Sequence, residues 1–198
     1  VLLSGTVQGV EQSPNNPYSL AVIYHGEFKI LIPANKFMEE PDDTHDQPKE
    51  TVLNYMMTRR MGAEVDYVIK GIDANARIAA ASRLEAMRIK RRQYYFATDR
   101  DGNNIIHSGI NAEARVVSVI RAGIFVDLFG LETYIPLKEL SYQRLLDAAS
   151  QFQTGQRILV KILEVERKNH DVRVWASVKQ ATENPYEKAL RKYSIGNK

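Results

Sequence analysis

The feature that most constrains this chain is an order of elements that occurs twice. In the first half, residues 2–10, 18–25, 28–33, 64–72 and 77–81 are short alternating runs rich in β-branched and aromatic residues, the pattern of strands. Ser13-Pro14-Asn15-Asn16-Pro17 and His25-Gly26-Glu27 supply turns between them. After an acidic loop at 39–47, residues 50–61 set Val52, Leu53, Met56 and Met57 at helical spacing ahead of Gly62, so a helix is expected between the third and fourth strands. The second half repeats the order with 113–120, 124–128, 132–137, 157–166 and 172–178. A helix is again expected after the third strand, where Leu145, Leu146, Ala149 and Phe152 space as one apolar face before Gly155.

Five short strands with a helix after the third predict a Greek-key barrel of the OB type, and its duplication makes the chain a tandem repeat. The expected fold class is therefore all-β with linking helices: two tandem five-stranded OB-fold barrels. Ser82-Arg83-Leu84-Glu85 has the form of a capping box and opens a basic helix to about Tyr94. Asn184-Pro185-Tyr186-Glu187 opens another, expected to run to about Ser194 before Gly196. Between the barrels, 97–111 is polar, with Asp101-Gly102 as a tight turn. The expected domains are residues 1–81, a linker at 82–111, a second barrel at 112–181 and a terminal helix at 182–198.

Composition narrows the function. The longest apolar runs fall far below the roughly 20 residues of a membrane-spanning helix, so no membrane partner is expected. With no cysteine, thiol nucleophiles, disulfides and Cys-based zinc sites are excluded, and a reducing cytoplasm is the expected location. The four histidines show no metal-binding pair at one-turn spacing, and Asp42, Asp43, His45 and Asp46 lack the glycine and terminal glutamate of a calcium loop. No enzyme, metal or cofactor is expected. The net charge of +3 is uneven: residues 1–81 carry 7 Lys/Arg against 11 Asp/Glu, residues 82–111 carry 6 against 3, and residues 112–181 carry 10 against 8. A polyanion would be drawn to the second half. The chain opens on Val1, and the expectation is a fragment of a longer multi-repeat protein.

The second half resembles the S1-type RNA-binding repeat, the OB-fold unit that the bacterial ribosomal small-subunit protein of that name carries in tandem. Ala114-Arg-Val-Val-Ser-Val-Ile120, Gly123-Ile-Phe-Val126 and Tyr134-Ile-Pro-Leu-Lys-Glu-Leu140 are similar to its first three strands. Gly155-Gln-Arg-Ile-Leu-Val-Lys-Ile-Leu-Glu-Val-Glu166 and Arg173-Val-Trp-Ala-Ser177 are similar to its last two. The sequence departs from that pattern at Ala122, where an aromatic is common, and at Pro136, where some members have histidine. Asn184-Pro-Tyr-Glu resembles the linker that precedes a further repeat, while the first half is a diverged repeat in which Ile32-Pro33 parallels Ile135-Pro136. The resemblance implies single-stranded RNA binding in translation or RNA metabolism, with Phe125 and Arg173 at RNA-binding positions.

Alternation sorts the surface. If Ile124, Val126 and Leu128 fill the barrel, Phe125 points out, and by the same argument so do Tyr134, Arg173 and Trp175. Aromatic rings beside cations suit single strands, since every base has a face to stack. Arg121 and Lys161 are the nearest further cations, and Arg83, Arg88, Lys90, Arg91 and Arg92, with Tyr94 and Tyr95, form an extended basic track on the linker helix. The first barrel offers Tyr24 and His25 without a stacking set. Expected partners are single-stranded RNA, then single-stranded DNA, with the ribosome or another protein beyond them. The alternative is a protein-interaction scaffold built from the same folds.

Overall fold

The structure, a computed structural model, describes residues 1–194. In the first sheet, β1 (Leu3–Thr6), β2 (Gly9–Ser13), β3 (Asn16–His25), β4 (Phe28–Pro33), β5 (Glu64–Asp73) and β6 (Ile78–Ser82) are ordered β1-β5-β6-β4-β3-β2. The run expected at 2–10 is one broken strand: Val7 N–H donates to Ala63 O at 2.9 Å and Gln8 N–H to Val22 O at 2.8 Å. The chain thus leaves β5 and joins β3 within two residues, which brings the ends of the sheet together as a barrel. Two helices, α1 (Ala34–Phe37) and α2 (Lys49–Thr58), join β4 to β5, and α2 buries Leu53 and Met57 as the spacing predicts.

The second sheet contains β7 (Asn111–Ile120), β8 (Gly123–Leu128), β9 (Leu131–Pro136), β10 (Arg157–Lys168) and β11 (Asp171–Ser177), ordered β11-β10-β7-β8-β9. β9 and β11 lie against each other and close the second barrel. The helix expected at 145–152 is absent; a single 3-10 turn spans Ala148–Ser150. Asp147 is the cause. Its side chain accepts the Ala149 N–H at 2.9 Å, starting a new turn in mid-run, and Ala148 N–H is drawn to Arg121 O at 3.1 Å. Leu145 and Phe152 then pack on the core from an irregular loop, while Leu146 is exposed.

Between the barrels runs α3 (Arg83–Tyr95), capped where Ser82 Oγ accepts the Glu85 N–H at 3.2 Å. Glu85 does not complete the box; it pairs with Lys70 at 2.7 Å. This helix is a buried strut rather than a free linker. The β8–β9 turn docks on it, with Phe129 stacked on Tyr94 at 4.8 Å and the buried Tyr95 donating its hydroxyl hydrogen to Leu128 O at 2.7 Å. Gly130 makes that contact possible: at φ +84° its absent Cβ would stand 2.4 Å from Met87 O.

The barrels also share core. A bulge in β7 between Val116 and Ser118 leaves both Val116 and Val117 fully buried, Val116 in its own barrel and Val117 among the apolar side chains of the first. Charges surround this contact. Arg60 binds Glu132 through two bonds of 3.0 and 2.8 Å, and Arg83 reaches the same carboxylate at 2.8 Å while its guanidinium lies over Phe37. Asp66 gathers Lys90 at 2.7 Å and Arg115 at 3.1 Å, and Arg157 binds Glu64. Arg83, expected on an exposed basic track, is fully buried, because three groups around it are acceptors or rings that a solvated arginine would lack. The two barrels and α3 are consequently one packed body.

At the far end, α4 (Pro185–Ser194) starts as predicted, with Asn184 Oδ1 accepting the Tyr186 N–H at 3.0 Å. Its expected stop, Gly196, lies outside the described residues.

Candidate nucleic-acid interface

Strand alternation in the second barrel puts Ile124, Val126, Leu128, Ile135, Val172, Val174 and Ala176 in the core and their neighbours outside it. Three of the four aromatic and cationic residues read from that alternation meet in one place. Tyr134, Arg173 and Trp175 line a groove of about 620 Å³ over the seam between β9 and β11, with Pro136 in its wall and Lys138 at its end. Tyr134 is 42% exposed and Trp175 44%, so both rings present usable area while their edges rest on the barrel.

Tyr134 is held firmly. Its hydroxyl donates to Ala122 O at 3.0 Å, and the ring lies across Gly123, where a Cβ would fall 2.9 Å from it and 2.4 Å from Ile135 O. No other residue type fits under that ring without displacing backbone. Phe125, the fourth residue, leans on Tyr134 with ring centroids 5.1 Å apart. It points out of its own barrel and toward the other one: the ring is half-buried against the first barrel's core, and the Arg60 guanidinium stands 5.3 Å above it. Phe125 thus backs Tyr134 and helps join the barrels, with far less free face than Tyr134 or Trp175.

The remaining cations are spread. Arg121 is exposed and precedes Ala122, whose carbonyl accepts the Tyr134 hydroxyl, but it is not among the groove residues. Lys161 is half-buried on β10 opposite Ser177 and is not among the groove residues. On α3, Arg88 and Arg92 are exposed, whereas Arg91 is tied to Glu39 at 2.7 Å and Lys90 to Asp66. Lys138 was not singled out from the sequence; the signal for it is its place in the turn that follows Tyr134, four residues on. Arg173 and Lys138 have no ion-pair partner among the described residues; of the two acids in the lining, Glu132 is held by Arg60 and Arg83 while Glu139 is not ion-paired, so the groove offers two cations and two rings beside one carboxylate. Arg173 and Lys138 can meet phosphates as charges, and the rings can stack on bases.

A closed five-stranded Greek-key barrel with a cation-flanked aromatic groove on its outer face defines an OB-fold ligand-binding module. Residues 106–174 match the family model of the S1 RNA binding domain, about a third of the chain, and the second barrel is an S1-type OB-fold domain. Small ribosomal subunit protein bS1 of Mycolicibacterium smegmatis is 27% identical over 139 residues, covering 69% of this chain and 27% of that protein. The 4-hydroxy-3-methylbut-2-enyl diphosphate reductase of Clostridium acetobutylicum is 30% identical over 94 residues, 48% of this chain and 14% of that protein. This chain therefore spans about a quarter or less of the length of these two relatives. Among solved structures, a multidomain protein with nucleic acid binding domains from Streptococcus pneumoniae aligns over 98% of this chain and 57% of its own, at 15% identity and a TM-score of 0.38.

Proposed function

We propose that the chain is a non-catalytic binder of single-stranded RNA that holds the strand in the β9–β11 groove. The observation that carries this reading is the meeting of Tyr134, Trp175, Arg173 and Lys138 in one open groove. Every base has a face that the two rings can stack on, and because the net charge is modest the rings would have to add to what the cations supply. The match to the S1 RNA binding domain and the likeness to bS1, a small ribosomal subunit protein, support RNA as the polymer and translation as the setting. In this reading residues 112–181 bind RNA, 1–81 support them and 82–111 brace the two.

Binding should depend on salt. With about three phosphates neutralised by Arg173, Lys138 and Arg121, log K falls against log salt with a slope of about −2, from roughly 0.7 per contact. Titration of a fluorescent oligo-uridine of about 4 nucleotides with the whole chain at several salt concentrations measures it. Absence of binding at low salt, or equal preference for duplex RNA, would sink the proposal.

A docking role for the first barrel is a second reading, and one observation favours it. Tyr24, Ile72 and Ile78 are exposed on neighbouring strands, with Lys29 opposite both Tyr24 and Ile78 and with Ile78 opposite Asp73. Exposed apolar side chains set among single charges of both signs suit a protein surface better than a phosphate backbone.

A further inference from the structure

The groove over β9 and β11 does not end at Arg173. A second cleft, of about 1190 Å³, begins there, sharing Leu131, Val172 and Arg173 with the first. Its opposite wall is α3, which contributes Arg88, Arg91 and Arg92, followed by Phe96; His170, from the β10–β11 turn, lines it too. Arg88 and Arg92 lie one turn apart and so share a helix face. Both are exposed, and neither has an ion-pair partner among the described residues. Phe96 is 39% exposed, which leaves a ring face between these cations and the chain's own surface. The acids of the cleft are Glu39, Asp42 and Asp171, and Glu39 is already engaged by Arg91 at 2.7 Å.

Resting on the groove reading, we propose that this cleft is the second half of one continuous single-strand track, in which Arg88 and Arg92 take phosphates and Phe96 takes a base. Arg173 is the hinge of the argument, because a backbone held there by the groove is delivered directly to the α3 wall. α3 would then have two jobs on two faces: Ala86, Met87 and Tyr95 brace the barrels, and Arg88 and Arg92 lengthen the footprint beyond one barrel. Asp42 and Asp171 also line the cleft, Asp171 on the same face of β11 as Arg173, so the arginines would hold the strand against that repulsion.

The test compares oligo-uridines of about 4 and about 12 nucleotides, lengths within the range one OB barrel covers and near its upper end. The protein is the whole chain and its Arg88→Ala/Arg92→Ala variant. Both arginines are exposed, so the variant's urea midpoint should match the parent's, which establishes that it is folded. The expected result is a loss of about tenfold on the long oligomer, almost none on the short one, and a salt slope for the long oligomer shallower by about 1.4, or two contacts. Equal losses on both lengths, or none on the long one, would overturn the track while leaving the groove standing. Failure of the parent to bind either oligomer would remove the groove reading and the track with it.

Discussion

Glu132→Ala is expected to destabilise the chain by about 3–5 kcal/mol, the cost of leaving a buried cation without its partner. Two cations would be stranded here, since Arg60 and Arg83 are 5% and 0% exposed and both converge on this carboxylate. Urea unfolding measures the effect, and because the cluster joins the barrels, the variant should unfold in two steps where the parent unfolds in one. A loss below about 1 kcal/mol, the size of a surface pair, would contradict this account of the interface. Acid should act on the same bond. Burial alone would push the Glu132 carboxyl up, but the guanidiniums of Arg83 and Arg60 outweigh it and hold the group down from its ordinary 4.5 to about 2. A depressed folded value means that the stabilisation is fully present above about pH 4.5, declines below it and is gone below about pH 2. Asp66 behaves in the same sense, its burial outdone by Lys90, Ser4 and Arg115. The contact between the barrels should accordingly weaken as pH falls below about 4.5, read as a falling urea midpoint.

The second large effect is on binding. Arg173→Ala with Trp175→Ala removes one cation and one ring from the groove, and affinity for single-stranded RNA should fall by about 2–4 kcal/mol, roughly 30- to 1000-fold. Arg173 is exposed, but more than half of Trp175 is covered, so the fold should lose about 1–3 kcal/mol, and the urea midpoint must show the variant still folded under the titration conditions. This pair is a cleaner probe than Phe125→Ala, which would also empty a contact with the first barrel. Affinity within about twofold of the parent, measured by titration of labelled oligo-uridine, would mean that the strand does not run through this groove.

The strands of both barrels were legible because their signals are local. Alternation in residues 172–176 separates core from surface, whereas in 124–128 it finds the core positions Ile124, Val126 and Leu128 but not that Asp127 is buried, and Asn184 and Ser82 act as the caps their positions indicate. What the sequence hides is pairing at long range. Arg83 looks like one more cation on a basic helix until Glu132, 49 positions away, is brought beside it. Arg60 and Glu132 are 72 positions apart. The contrast between an acidic first half and a basic second half has the same origin in part: Asp66 and Glu64 of one barrel neutralise Arg115 and Arg157 of the other, so that charge is spent within the molecule. Val117 escapes a reading by alternation because a bulge sets it beside Val116 with both buried, on different sides. The false helix at 145–152 shows the reverse error, an apolar spacing of 3 and 4 that serves a loop once Asp147 caps its interior. For the groove, alternation found Tyr134, Arg173 and Trp175, but it could not show that Phe125 faces the partner barrel.

The chain's single tryptophan is Trp175, and it stands in the groove. Its emission therefore reports on the proposed site alone, without a label and with the whole chain intact. Titration with unlabelled oligo-uridine at low salt should quench that emission to saturation as a base stacks on the indole, and added salt should reverse it. Emission that stays unchanged while anisotropy of a labelled strand shows binding would place the RNA elsewhere on the molecule and contradict the groove.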